Sequence, residues 1–126
     1  MKIEDARSML DDLLARAKAK GADAADALIV DSTSLSHAER LGKTEQLERS
    51  EARDLGIRVF FGKQQAVAST NDWDVSLLDD LVERAVAMAK AVPEDPFCGL
   101  ADPDQIFTGT PADLDTFDPT EPAPED

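Results

Sequence analysis

The spacing of apolar positions changes twice along this chain, from helical to alternating and back, and then dissolves. Over residues 3–20, Ile3, Ala6, Leu10, Leu13, Leu14 and Ala17 recur at i, i+3, i+4 and i+7 and predict one amphipathic helix. Glu4 and Asp5 in its first turn and Lys18 and Lys20 in its last suit the helix dipole, and Gly21 supplies a stop. From Ala25 the period becomes two. Ala25–Arg40 reads as a strand, Leu41-Gly42-Lys43 as a turn, and Thr44–Arg53 as a polar strand with Leu47 as its one large apolar residue. A strand so polar is expected at a sheet edge or with one face wet.

Next comes a hairpin. Leu55, Ile57, Val59 and Phe61 alternate, Gly62-Lys63 turns the chain, and Gln65, Val67 and Ser69 carry the alternation back along Gln64–Thr70. Phe60 points away from Val59 and Phe61, so the second face of the sheet is expected to be partly covered. Asp74–Val92 returns to helical spacing through Leu78, Leu81, Val82, Ala85, Ala89 and Val92, with Asp74 as N-cap and Pro93 as the stop. The predicted fold class is α+β. Its layout is α-β-β-β-β-α in two layers, a four-stranded antiparallel sheet with both helices on one face.

Charge and proline redraw the end of the chain. All 13 Lys and Arg lie at or before Lys90, and all seven prolines at or after Pro93. Residues 93–126 hold ten acids and no base, so most of the net charge of −14 belongs to this segment. Phe97, Leu100 and Ile106 are expected to fold back onto the domain. Residues 1–103 are therefore expected to form the domain and 104–126 an acidic, proline-rich linker, plainest over Asp113–Asp126. A chain of 126 residues supports one modest core.

Composition also narrows the chemistry. A charge of −14 disfavours contact with nucleic-acid phosphates or anionic membranes, which Lys and Arg would have to make. An acidic DNA mimic that occupies a nucleic-acid-binding protein remains as a minor alternative. A single cysteine allows no internal disulfide, and no apolar run approaches a membrane span or a secretory h-region, so a cytoplasmic protein is expected. One His and one Cys do not make a His-rich zinc site, a Ser-His-Asp triad or a Cys-His pair. His37 reads as a sheet residue and Cys98 as a small packed one. The carboxylate pairs Asp11-Asp12 and Asp79-Asp80 read as solvated helix faces. Gly42, Gly56 and Gly62 are isolated strand or turn glycines rather than a phosphate loop. What remains is a set of donors, Arg49, Ser50, Arg53 and Arg58, interleaved with Glu48, Glu51 and Asp54. They are candidates for contact with a peptide or partner chain, and cross-strand ion pairing is the plainer reading of each.

Several short motifs occur in order. They are Gly21-Ala22-Asp23, Glu48-Arg49-Ser50-Glu51, Leu55-Gly56-Ile57-Arg58-Val59, Ala68-Ser69-Thr70-Asn71-Asp72, Pro93-Glu94-Asp95-Pro96 and Gly99-Leu100-Ala101-Asp102-Pro103, followed by Phe117–Pro122. Together they resemble the N-terminal domain of the TldD/PmbA family, most closely its PmbA (TldE) branch, also called modulator of DNA gyrase. The resemblance implies a subunit that associates with a TldD-like partner into a metalloprotease acting on unfolded peptides, in peptide maturation and antitoxin turnover. In that family the TldD-like subunit carries the zinc motif His-Glu-x-x-x-His and the PmbA-like subunit lacks it. Nothing here matches that motif, so no catalytic or metal residue carries over, and zinc is expected in the partner. The chain stops where longer family members continue, which suggests a fragment, a single domain or a truncated product. A stand-alone peptide- or protein-binding module is the main alternative.

Overall fold

The computed structural model describes residues 1–123; Pro124, Glu125 and Asp126, the last part of the expected linker, lie outside the described residues. Helix α1 spans Ile3–Ala19, strand β1 Ala24–Arg40, β2 Lys43–Phe61, β3 Gln64–Thr70 and helix α2 Leu78–Ala91. Short 3-10 turns occupy Val75–Leu77 and Pro103–Gln105. The sheet is antiparallel with order β1-β2-β3. The two strands expected at Thr44–Arg53 and Leu55–Phe61 are one: β2 runs through Asp54 without a break. The described sheet therefore has three strands, not four. A charged residue at the change from polar to apolar alternation does not interrupt an extended backbone, because alternate side chains simply leave to opposite faces.

The chain divides into two compact units. The first comprises Met1–Thr33 and Glu51–Leu100 and holds the core. Leu55, Ile57 and Val59 of β2 point to one face with Ala66 and Ala68 of β3, which stand opposite Val59 and Ile57. Leu13 and Ala17 of α1 and Leu78, Leu81, Val82, Ala85 and Ala89 of α2 complete the same cluster. Both helices thus cover one face, as expected. Each fully buried Leu, Ile or Val here contributes roughly 1.5–3 kcal/mol of transfer free energy. On β3 the apolar pattern is inverted: the alanines face the core, whereas Val67 is 58% exposed on the other side. Ile3, expected on the apolar stripe of α1, is exposed at the helix start.

Polar groups fix the edges of this unit. Gly21 ends α1 with a φ of +92°, where a side chain is disfavoured. Asp23 then donates its backbone N–H to the Phe60 carbonyl and accepts from the Gly62 N–H at 2.6 Å, tying the start of β1 to the β2–β3 turn. Of the carboxylates read as solvated helix faces, Asp79 joins α2 to α1, and Glu83 adds to it. Arg16 pairs with Asp12 and Asp79, and Lys20 with Asp79 and Glu83. Asp74 accepts from Ser76 N–H at 2.9 Å and so caps the 3-10 turn; α2 itself begins only at Leu78.

After α2 the chain is stitched back across the hairpin. Gln64 Nε2 donates to the Val92 carbonyl, Asp95 N–H to the Lys63 carbonyl, and Lys63 Nζ to the Cys98 carbonyl. Cys98 is buried, as expected of a packed residue, and it is the side chain that folds back. Phe97, Leu100 and Ile106 do not; Phe97 is 95% exposed. The backbone bonds set this return, and they turn the small thiol inward rather than the ring.

The second unit comprises Ser34–Ser50 and the chain from Ala101 onward. Its ribbon joins β1 to β2 through Leu41 and Gly42, both with positive φ, the geometry of a tight two-residue hairpin. His37 Nε2 lies 3.0 Å from Thr44 Oγ1 across the ribbon, consistent with a sheet role for this histidine. Apart from the turn at Pro103–Gln105, the described part of the Ala101 segment has no regular structure.

Candidate functional site

The four predicted donors fall in different places. Arg58 and Arg53 belong to the first unit, and Arg49 and Ser50 to the second. Arg58 is held by Asp26 of β1 in a bidentate pair, with its Nε 2.9 Å from Oδ1 and its Nη2 on Oδ2. The same guanidinium lies 5.1 Å from the Phe60 ring centre, over a ring that is itself buried. Hydrogen bonding to Asp26, set against partial burial, holds the guanidinium protonated even more firmly than usual. Arg53 pairs with Asp31 at 3.6 Å and stacks 5.3 Å from the Trp73 ring; Asp31 also takes the Met1 ammonium. In the second unit Arg49 lies 3.5 Å from Glu121, and Ser50 is exposed. The three arginines thus meet three different carboxylates, as cross-strand and surface ion pairing would have it.

The feature that donor counting missed lies on the helix-free face of the first unit. Side chains of Asp26 and Leu28 on β1, Arg58 on β2 and Val67 on β3 surround a shallow groove of about 440 Å³. Its floor is Gly56. Leu28 and Val67 are 66% and 58% exposed, so two aliphatic walls stand in solvent with the Arg58–Asp26 pair beside them. The sequence signal was a glycine inside an otherwise alternating strand, which weakens the strand and often marks a close approach from outside.

The residues present do not suit a metal. Among those described, no three His, Cys, Asp or Glu side chains converge as ligands would, and His37 faces a threonine hydroxyl. No step through zinc is therefore assigned to this chain. No described helix is long and apolar enough to cross a membrane.

An antiparallel sheet with two helices on one face and an open, partly apolar second face defines a small α+β domain. The family model for PmbA/TldA metallopeptidase domain 1 matches residues 25–89, and the chain belongs to this PmbA/TldD family, of which it represents the N-terminal domain. It is 35% identical over 98 residues to the metalloprotease PmbA homolog of Haemophilus influenzae, covering 78% of this chain and 22% of that protein. It is 31% identical over 113 residues to the metalloprotease PmbA of Escherichia coli O157:H7, covering 90% of this chain and 24% of that protein. Among solved structures it superimposes on a modulator of DNA gyrase from Bacteroides thetaiotaomicron with a TM-score of 0.81, at 20% identity, over 90% of this chain and 26% of the other. Thermococcus kodakarensis TldE gives a TM-score of 0.69 at 17% identity, over 82% of this chain and 23% of the other. The two structural matches are statements about fold. The chain spans about a quarter of the length of each of these proteins.

Proposed function

We propose that this chain is the N-terminal domain of a PmbA-like, non-catalytic subunit of a TldD/PmbA-type zinc metalloprotease. In this reading it acts in the cytoplasm with a TldD-like subunit, helps to form the chamber, and guides unfolded peptides during peptide maturation or antitoxin turnover. The zinc and the bond cleavage reside in the partner. Residues 1–103 form the domain, and 104–126 link it onward.

One observation carries the reading: the family match over 25–89 takes in β2, β3, all but the first residue of β1 and most of α2. A second supports the manner of guiding. β3 pairs only with Leu55–Phe61 of β2. Among the described residues no third strand pairs with Lys43–Glu48, which supports a strand edge to which an extended peptide can add. Arg49 and Ser50 follow that stretch as candidate side-chain contacts, and Arg53 and Arg58 lie on β2 in the first unit.

Co-purification with a TldD-like subunit and hydrolysis of an unfolded peptide test the assembly. The expected result is a complex whose hydrolysis is chelator-sensitive and needs both subunits. A chain that binds peptide but never joins the partner would instead be the stand-alone module. For the edge, a proline scan across Thr44–Ser50 should abolish processing wherever an outward N–H is lost. Processing indifferent to every proline would remove this edge from the mechanism.

A further inference from the structure

Two apolar residues of the first unit are buried outside its core. Phe60 is 3% exposed and Cys98 7%, yet neither belongs to the cluster beneath the helices. Phe60 leaves β2 on the opposite face, across from Gln65 of β3. Both residues border Arg58. Its guanidinium lies 5.1 Å from the Phe60 ring centre, and Cys98 is near enough to add to the environment that keeps it protonated. Cys98 is carried there by residues 93–98, which begin where α2 ends and are bonded to the β2–β3 turn.

Little holds this segment down. Gln64 Nε2 donates to the Val92 carbonyl at 2.7 Å, Asp95 N–H to the Lys63 carbonyl at 2.8 Å, and Lys63 Nζ to the Cys98 carbonyl at 3.3 Å. Its one buried side chain is a small thiol, while the adjacent Phe97 ring stands in solvent. On the face that Phe60 occupies, Gln65 Oε1 is buried and no protein group among the described residues bonds it. A buried carbonyl oxygen of this kind gains free energy when water reaches it. Pro93 and Pro96 fix their own φ angles, so the segment moves as a stiff piece. A piece with so few bonds and so little buried apolar surface opens at far lower cost than the core.

We propose that residues 93–98 form a hinged strap that closes over Phe60 with Cys98 and opens while the core stays folded. In the closed state the three bonds from Lys63 and Gln64 hold the thiol inward. In the open state water reaches Gln65, and the ring of Phe60 is uncovered at the hairpin end of the helix-free face. The strap is thus a lid on that end of the sheet. It belongs to the domain by itself and does not depend on a protease partner.

The chain carries one cysteine and one tryptophan, so each part has its own reporter. Cys98 reports the strap, and Trp73, packed against the core cluster, reports the core. The test follows modification of Cys98 by the chromogenic disulfide dithiobis(nitrobenzoate) on the 126-residue chain, from zero to denaturing urea, beside Trp73 fluorescence. Below the Trp73 transition, labelling should run at least about tenfold faster than global unfolding allows and should depend only weakly on urea. It should still be far slower than labelling of the unfolded chain. Lys63→Met, which removes the bond to the Cys98 carbonyl, should speed labelling about three- to tenfold, the worth of one hydrogen bond. Gln65→Met, which removes the unbonded oxygen at similar volume, should slow it severalfold. Neither variant should make labelling follow the core. Labelling that tracks the Trp73 transition would overturn the proposal by making the strap part of the core. So would labelling as fast as in the unfolded chain, which would mean that the strap does not close. Rates unmoved by either variant, or moved in the same direction by both, would also overturn it.

Discussion

Ala68 stands directly opposite Ile57 in the β2–β3 ladder, on the face that the helices cover. The small residue is what lets α2 approach β3 closely, since Val82, Ala85 and Ala89 of the helix belong to the same buried cluster. Its neighbour Val67, the larger side chain, is directed to the open face, opposite Arg58.

Exchanging size at these adjacent positions should therefore have unequal effects. Ala68→Leu should destabilise the domain by about 1–3 kcal/mol through overpacking, whereas Val67→Leu should change stability little. Urea unfolding of the two variants distinguishes them. A larger loss for Val67→Leu than for Ala68→Leu would place β3 in the opposite facing.

The Arg58–Asp26 pair is bidentate but about a third to a half exposed on each side. Solvent screening limits its value. A double-mutant cycle with Arg58→Met and Asp26→Asn should give a coupling of at most about 1 kcal/mol, falling as salt is raised. A much larger, salt-insensitive coupling would mean that the pair is covered in solution.

Two glycines should respond in opposite directions to alanine. Gly21 holds a φ of +92°, so Gly21→Ala should cost on the order of 1 kcal/mol or more. Gly56 has an ordinary φ and room for a methyl group, so Gly56→Ala should be neutral or stabilising by about 0.5–1 kcal/mol. Thermal melts of both variants provide the comparison, and a destabilised Gly56→Ala would show that the strand itself requires the glycine.

Leu41 occupies the hairpin tip with a φ of +53° and 96% exposure, an unfavourable place for a leucine on both counts. Leu41→Asn should tighten the ribbon by roughly 1 kcal/mol, because asparagine tolerates the left-handed region. The readout is cross-strand NMR contacts between residues near His37 and Thr44, which should strengthen in the variant.

Asp74 is held below its ordinary value of 3.8, first by the Ser76 N–H and then by the Ser76 hydroxyl. Its contribution to stability is thus complete above that ordinary value and is lost as pH falls through the lower folded value. Asp74→Ala should lower the melting temperature at neutral pH, and the gap from the parent should close under strongly acidic conditions. A gap independent of pH would remove the cap from the account of acid stability.

Much of this domain was legible in the chain. Helical spacing located α1 to within a residue at its C-terminus, and Gly21 marked its end by the conformation it alone adopts readily. Alternation located β1 and the β2–β3 hairpin, and the Leu55–Val59 face is the buried one. Two readings failed for a common reason. The break at Asp54 and the return of Phe97 each assumed that local hydrophobicity decides placement. Instead the extended backbone runs through Asp54 as one strand, and the bonds made by the Lys63 carbonyl and the Gln64 side chain decided the second. The candidate arginines were visible as donors, but their carboxylate partners Asp26, Asp31 and Glu121 lie 32, 22 and 72 positions away, a distance that no local pattern spans.

By itself, the sequence determined the periods, the stops, the absence of a His-rich metal set and the motif order that points to the PmbA/TldD family. These are local or additive properties, carried by each residue's shape and charge. The tertiary structure alone decided that β2 is one strand, that Asp79 links the helices through Arg16 and Lys20, and that Gly56 floors a groove between Leu28 and Val67. Those depend on which distant residues share a face, and strand register and helix packing settle that together.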